Sequence, residues 1–427
     1  MSSNSETNSA NGINIATDID ALTADLVNQS ETFSEYVRAS ASAKLPGDPP
    51  AEVQAAKEKL LEDALQIFNL VSGPTEYIQN VLIGCHYMEI LRWMSHFKIF
   101  ELVPLDGRIS YSELAAKAGV TEERLKSLAR MAMTSSLFAE PEKGFMAHSA
   151  TSAALVTNQG LASFRLWITA VTGPAASSMV TAHARWPDDT APNRTAFSAA
   201  FDTDLGMYDY IATHPELYRM FDTAMQAVAK SPMSHLKHLV SGFDWGSLGK
   251  ATVVDVGGNV GHSCVELAKS FHDLDFIVED TPHIVEEGIK TVQANDPTLA
   301  ERIKFREYDF FTKQPVQGAQ VYLLRQILHN WNFDKAVEIT KNTAASMGQD
   351  SHMLIMDMLL PEPGSVSSVH ERVLRSRDVV MMQLFNSLER DLEGWQKILT
   401  VADPRLRINA VNKPEGSFLT VIDVVKV

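Results

Sequence analysis

Apolar residues recur at helical spacing along the first part of the chain. Ile19, Leu22, Leu26, Phe33 and Val37 predict one helix, and Leu60, Leu61, Leu65 and Phe68 predict a second. The run Leu45-Pro46-Gly47-Asp48-Pro49-Pro50 separates them, and Ser72-Gly73-Pro74 ends the second. A third helix is expected from Thr75 to about Met94, carrying Ile78, Leu82, Cys85, Met88 and Leu91. A helix this apolar belongs in a core or at an oligomer interface. Residues 1–17, rich in Ser and Asn, read as a disordered tail.

The pattern then shortens. A strand near Ile109, a helix from Ser112 to Ala118 stopped by Gly119, and a helix capped by Thr121 (Leu125, Leu128, Ala129) predict a winged helix-turn-helix. Leu137-Phe138 and Phe145-Met146 supply its wing. The would-be recognition helix sets Arg124, Lys126 and Arg130 beside Glu122 and Glu123, which favours a structural or dimerisation role over DNA binding. Residues 150–235 continue helical. Their aromatic residues, including Phe164, Trp167, Phe197, Phe201, Tyr208 and Phe221, are core packing or the wall of a pocket for a flat ligand.

From Ala251 the period changes to short apolar runs at 251–256, 275–279, 303–306, 320–324, 352–357 and 417–424, most of them separated by helical patterns. That alternation predicts an α/β, mostly parallel, doubly wound sheet. Ligands on such sheets sit beyond the carboxyl ends of the strands. The rule gathers Asp255, Gly257, Asp280, Asp309, Arg325 to His329, and Asp357 towards one crevice.

The first of these strand ends carries the clearest chemistry. Ala251 to Val256 leads into Gly257-Gly258-Asn259-Val260-Gly261, and a second apolar run ends at Glu279-Asp280. Glycine removes the Cβ that would keep a ligand off the backbone, the following helix offers free N–H groups, and an acid after the second strand suits ribose hydroxyls. The dinucleotide pattern G-x-G-x-x-G fails, because Asn259 and His262 occupy glycine places. Asp-x-Gly-x-x-x-Gly instead resembles the first motif of S-adenosylmethionine (SAM) methyltransferases, whose ligand has no phosphate and needs no lysine at the turn.

Charge narrows the partners. A net charge of −16 argues against a polyanion, since nucleic-acid binding draws on Lys and Arg at phosphates. Cys85 and Cys264 lie in apolar stretches and form no disulfide framework, which suits a reducing compartment. With no secretory signal and no apolar run of membrane-spanning length, a cytoplasmic location is expected.

After the fourth strand comes Arg325-Gln326-Ile327-Leu328-His329-Asn330-Trp331, the fifth ends in Asp357, and a later helical stretch bears Glu389-Arg390. A carboxylate on Nδ1–H of a histidine fixes its tautomer and leaves Nε2 free to accept a proton. Over roughly residues 75–427 the chain resembles the fungal members of the plant-type, caffeate-like small-molecule O-methyltransferases. Asp255 to Gly261 matches that family's Asp-Val-Gly-Gly-Gly-x-Gly, and Asp280 to Ile284 its Asp-Leu-Pro-His-Val. Tyr308 to Phe311 matches Gly-Asp-Met-Phe, and Arg325 to Trp331 matches Lys-Trp-x-x-His-Asp-Trp. Asp357 to Pro361 and Glu389-Arg390 match its two later acidic segments.

The resemblance implies a Rossmann-like methyltransferase sheet behind an all-helical, winged-helix dimerisation domain. The expected division is a tail over 1–17, the helical and winged-helix region over 18–150, connecting helices lining a substrate pocket over 151–245, and a SAM-binding domain over 246–427. It implies SAM as cofactor, without a metal. Gly257 and Gly258 would approach its methionine portion, Asp280 the ribose, Asp309 and Phe310 the adenine, and Arg325 a further cofactor position. His329 would be the general base, oriented by Asp357 and Glu389, with Met225 and Trp331 beside the substrate. The substrate would be a small aromatic or polyketide-like molecule and the protein a homodimer. A phenol and an imidazole differ by about 5 kcal/mol for full proton transfer in water. Deprotonation is therefore best drawn as concerted with methyl transfer.

Four positions depart from the family pattern: Asn259 for its middle glycine, Arg325 for Lys, Asn330 for Asp, and Asp357 for a Glu one methylene longer. These altered flanks, with Arg325 and Lys335 as carbonyl activators, keep a second reading open. It is a methyltransferase-like pericyclase or dehydratase that binds SAM and transfers no methyl. A SAM-sensing winged-helix regulator is the third.

Overall fold

The computed structural model describes residues 15–43 and 50–427, so the tail expected over 1–17 lies outside them up to residue 14, as does most of the proline-rich break. The chain divides into two compact units, Met1–His86 with Pro361–Arg375, and Tyr87–Leu360 with Ser376–Val427.

The first unit is built on the helices Ile15–Ala43 and Ala51–Val71, which pack on one another, and the start of a third, Pro74–His96. Within it Glu62 accepts hydrogen bonds from the backbone N–H groups of Ser368 and Val369, at 3.0 and 2.9 Å. These are the first donors of the helix Ser368–Phe385, so a side chain from the N-terminal region caps a helix some 300 residues later.

The second unit opens with the expected winged helix. Strands β1 (Ile109–Ser110), β2 (Ala139–Glu142) and β3 (Phe145–Ala147) lie in the order β1-β3-β2 beside the helices Tyr111–Ala118 and Glu122–Met133. Ser110 and Thr121 cap those helices, and Gly119 ends the first with φ +69°. Phe100, Leu114, Leu125, Phe138 and Met146 fill the core between them. Arg130 is clamped by both oxygens of Glu140, at 2.8 and 2.9 Å. Further helices follow, among them Gln159–Trp167, Met207–Ala212 and Pro215–Ala229, and a π turn over Ile168–Thr172 extends the first of these.

The large sheet has seven strands: β4 (Ala251–Val256), β5 (Leu274–Asp280), β6 (Ile303–Glu307), β7 (Val321–Arg325), β8 (His352–Met358), β9 (Leu406–Asn412) and β10 (Leu419–Lys426). Their order is β6-β5-β4-β7-β8-β10-β9, parallel from β6 to β8, with β10 antiparallel to both of its neighbours. Alternate residues face opposite cores. Val253, Leu323 and Met356 pack with Trp245 and Phe276 on one side, and Val254, Tyr322 and Ile355 with Ile339 and Trp395 on the other. Strand β9 was not expected. It is an edge strand that buries only Leu406, so its sequence lacks the apolar alternation of a half-buried strand.

Candidate active site

The turn after β4 needs its glycines. Gly257 and Gly261 have φ of +72° and +85°, and Asn259, at +54°, takes the same left-handed region that asparagine tolerates. A Cβ on Gly257 would lie 2.6 Å from Ile327 Cδ1, and one on Gly258 2.6 Å from the Asp255 carboxyl carbon. The N–H groups of Gly257 and Gly258 donate to the carbonyl of Glu279, and that of Asn259 to Asp280 Oδ2 at 2.9 Å. The turn is thus fastened to the end of β5. Beyond β6, Asp309 accepts from the N–H of Phe311, and Phe310 lies against the Gly257 position.

Arg325 ends β7. It is largely buried, donates from Nη2 to the Ser234 carbonyl at 3.1 Å, and its Nε has no partner among the described residues. Burial lowers its pKa while Asp255 and Asp357 raise it, so a buried cation lies between two acids. Burial pushes Asp255 up to about 6.

Gln326, next in the chain, adopts φ +55°, and its N–H reaches back to Met356. This left-handed kink stops the strand and starts a single 3₁₀ turn, Leu328–Asn330, that carries His329. The His329 Nδ1 lies 3.0 Å from Glu389 Oε1. Among the described residues no hydrogen bond reaches Nε2, which is the atom left to take a proton. The imidazole is almost enclosed, with 13% of its side chain exposed. Burial lowers its pKa, but the Asp357 and Glu389 carboxylates outweigh that and hold it above 6.5. Asp357 is buried with neither oxygen hydrogen-bonded among the described residues, and burial pushes it up to about 6. The shorter Asp acts on the imidazole by charge, while Glu389 makes the bond.

Residues 186–403 match the O-methyltransferase domain family, and residues 80–158 the O-methyltransferase dimerisation domain. The O-methyltransferase bik3 of Gibberella fujikuroi is 63% identical over 422 residues, which cover 95% of this chain and 92% of its own. The chain belongs to the SAM-dependent O-methyltransferase family. The O-methyltransferase aoiF of Aspergillus oryzae is 39% identical over 412 residues, covering 96% of this chain and 97% of its own. Among solved structures, OxaC matches with a TM-score of 0.75 at 20% identity, over 97% of this chain and all of its own. LepI in complex with SAM matches with a TM-score of 0.69 at 22% identity, over 93% and 99%.

In this O-methyltransferase some of the residues expected at the strand ends meet, Arg325 with Asp255 and Asp357 among them. Gly257, Phe310 and Ile327 are neighbours, and Trp331 packs edge-on against Phe310 and Phe311 at 5.7 and 4.8 Å between ring centres. Met225 lies in a different apolar cluster, with Trp167, Phe197, Met207 and Phe385. Lys335 is ion-paired with Glu338 at 2.8 Å and covers the ring of Phe311. Among the described residues no group of three or more His, Cys, Asp or Glu side chains is placed to hold a metal ion, and no helix is long and apolar enough to cross a membrane.

Sequence reasoning missed the residues that hold the histidine turn in place. Ser387 donates its hydroxyl proton to the carbonyls of His329 or Trp331, and Arg390 donates to those of Leu328 and Trp331. Asn386, at φ +51°, reaches the carbonyls of Ala191 and Arg194, both at 2.9 Å. Their one signal was adjacency to Glu389.

Proposed function

We propose that the protein methylates a phenolic or enolic hydroxyl of a polyketide-like secondary metabolite, with His329 as the general base. The observation that carries this reading is the pairing of His329 Nδ1 with Glu389, which leaves Nε2 without a hydrogen bond among the described residues. The site fits SAM: no phosphate-binding lysine is present in the turn, the glycines let it close tightly over Asp255 and Ile327, and Arg325 Nε is buried without a partner among the described residues.

In this proposal Gly257, Gly258 and Arg325 hold the amino-acid portion of the cofactor, Asp280 the ribose, and Asp309 with Phe310 the adenine. When bound, SAM supplies an activated methyl on a sulfonium that leaves as a neutral thioether. Nε2 of His329 would take the proton of the substrate's hydroxyl, and Glu389 keeps Nδ1–H pointed away. The growing imidazolium charge is met by Asp357 and Glu389, in a site from which water is largely excluded. Trp331 and Met225 are assigned to the substrate side. Lys335, engaged by Glu338, is a poor carbonyl activator, which counts against the pericyclic reading.

The same proposal makes the protein a cytoplasmic homodimer, with residues 18–150 as its dimerisation region, 151–245 as connecting helices and 246–427 as the catalytic domain. Exposed Phe68, Val71, Tyr77, Ile78, Val81 and Leu82 give the first unit an apolar surface suited to a second copy. Calorimetric titration with SAM and S-adenosylhomocysteine, followed by labelled-methyl transfer to phenolic polyketides, tests the function. Tight binding of both and a product heavier by one methylene support it. Failure to bind either removes the cofactor, and a product of unchanged mass removes the methyl transfer.

A further inference from the structure

The two loops that carry His329 and Glu389 are each tied to the same third segment. Asn332, just after the histidine turn, donates from Nδ2 to the carbonyl of Thr190 at 2.9 Å. Asn386, just before Glu389, donates from Nδ2 to the carbonyls of Ala191 and Arg194, both at 2.9 Å, with that of Asp189 at 3.3 Å. Residues 189–194 thus form a strap between the loops. The strap lies outside any helix or strand, so its carbonyls look to side-chain donors or water for partners.

The strap is itself anchored. Asn193 Nδ2 donates to the carbonyl of Asp204 at 2.8 Å, and Arg194 Nη1 pairs with the Asp204 carboxylate at 3.0 Å. Next in the chain, the Thr195 hydroxyl oxygen accepts from the N–H of Ser198 and caps the helix Ala196–Phe201, whose Phe197 is buried in the cluster of Met225 and Phe385. A loop fastened in this way to a packed core fixes whatever it bonds. The two asparagines also have backbone tasks. Asn332 Oδ1 accepts from the N–H of Lys335 and caps the helix Phe333–Ala344. Asn386 takes the left-handed φ of +51° just past the helix Ser368–Phe385. Serine would do for the first task and glycine for the second. Neither supplies the amide donor that reaches the strap.

Resting on the reading of His329 as the base, we propose that Asn332 and Asn386 are positioning residues, which act through the strap to hold the His329 imidazole and the Glu389 carboxylate at their bonding distance. Neither asparagine touches the reacting atoms. Ser387 and Arg390 already bind the carbonyls of the histidine turn directly. The strap adds a second span between the same two loops. One attachment leaves a hinge, and two remove it. Catalytic side chains keep a productive geometry only when the shell around them is fixed in this way.

The test uses the full-length protein with Asn332→Ser, which keeps the helix cap, with Asn386→Gly, which keeps the left-handed turn, and with both. Labelled-methyl transfer to 2,7-dihydroxynaphthalene gives kcat and the KM for SAM. Nitrogen NMR of protein with labelled histidine follows the His329 ring, assigned by its loss in His329→Ala. Each single variant should lower kcat by roughly threefold to tenfold, with the KM for SAM unchanged. Releasing either end frees the strap, so the double variant should be no slower than the slower single one. The His329 imidazole, which the charges of Asp357, Glu389 and Arg390 all reach, should titrate at lower pH in all three variants as the Glu389 contact loosens. A titration that does not move, single variants with wild-type kcat, or losses that multiply in the double variant overturn the proposal. Should the wild type transfer no methyl, the methyltransferase reading fails, and the imidazole titration alone then decides for or against the strap.

Discussion

The imidazole Nδ1 of His329 and the carboxylate Oε1 of Glu389, sixty residues apart in sequence, lie 3.0 Å apart. A carboxylate on Nδ1 fixes the tautomer in which Nε2 has a free lone pair, and that is the form a general base needs. His329→Ala should therefore lower kcat by roughly 10²–10⁴-fold while SAM binding persists. Only the neutral imidazole accepts a proton, so kcat should rise with pH, through a midpoint above 6.5, to a plateau. Glu389→Gln removes one carboxylate that raises this pKa, so its acid limb should move to lower pH and its plateau should fall. A pH–rate profile of the two variants checks both. Turnover in His329→Ala equal to wild type would remove His329 from the mechanism.

Asp357 raises the His329 pKa by its charge, without a hydrogen bond among the described residues. Asp357→Asn should leave the Nδ1 bond to Glu389 in place and shift the acid limb downward. The plateau should drop about tenfold, because the imidazolium that forms during transfer loses a nearby opposite charge. Asp357→Glu, with the family's own side chain, should recover the limb. An Asn variant whose profile overlays the wild type would show that the Asp357 charge does not reach the base.

These roles divide in a way the sequence only half discloses. Gly257, Asp280 and His329 are legible because each lies at the end of a strand whose apolar run is unmistakable, and because glycine, acid and imidazole have few other uses there. Which of Asp357 and Glu389 reaches Nδ1 is decided by the loop after the helix Ser368–Phe385, and no spacing rule fixes where a loop arrives. Ser387 and Arg390 act by holding backbone carbonyls, a task that many polar residues perform and that leaves no pattern. Strand β9 escapes because an edge strand that buries one residue has no alternation to read. Met225 fits a helical stripe equally well as core or as pocket wall, and the structure packs it in the cluster of Phe197 and Phe385.

Glu279 precedes Asp280 and is fully buried, with Oε2 accepting from Gln314 at 2.7 Å and Oε1 without a partner among the described residues. Burial pushes its pKa up to about 7 from 4.5. The folded state thus holds this proton more tightly than the unfolded chain does. Stability from this group is greatest below about 4.5, is lost as pH rises, and is fully lost above about 7. Glu279→Gln has no such charge to bury. It should be more stable than wild type at pH 8, by roughly 3 kcal/mol at most, with the gain gone near pH 4.5. Urea midpoints at four pH values between 5 and 8 would follow the divergence. Parallel curves for the two proteins would mean that Glu279 does not titrate in this range.

Glu62 gives the opposite sign. Burial acts to raise its pKa, but the N–H groups of Val369 and Ser368, with the Gln66 amide, outweigh it and pull the carboxyl down to about 2. The folded state therefore prefers the ionised form. The stability it contributes is present above about 4.5 and is lost as pH falls toward 2. Two first-turn donors of the helix Ser368–Phe385 depend on this one side chain, which also sets a negative charge at the positive end of the helix dipole. Glu62→Ala leaves both N–H groups without their partner, and should cost about 1–2 kcal/mol of stability at pH 7. Glu62→Gln, which keeps one amide oxygen as acceptor, should fall between the two. Thermal unfolding of the full-length protein at pH 7, 5 and 4 reads the effect. The gap between wild type and Glu62→Ala should be constant from pH 7 to 5 and begin to narrow at pH 4. A gap that widens with acid, or none at pH 7, would mean that the helix is capped by something other than Glu62.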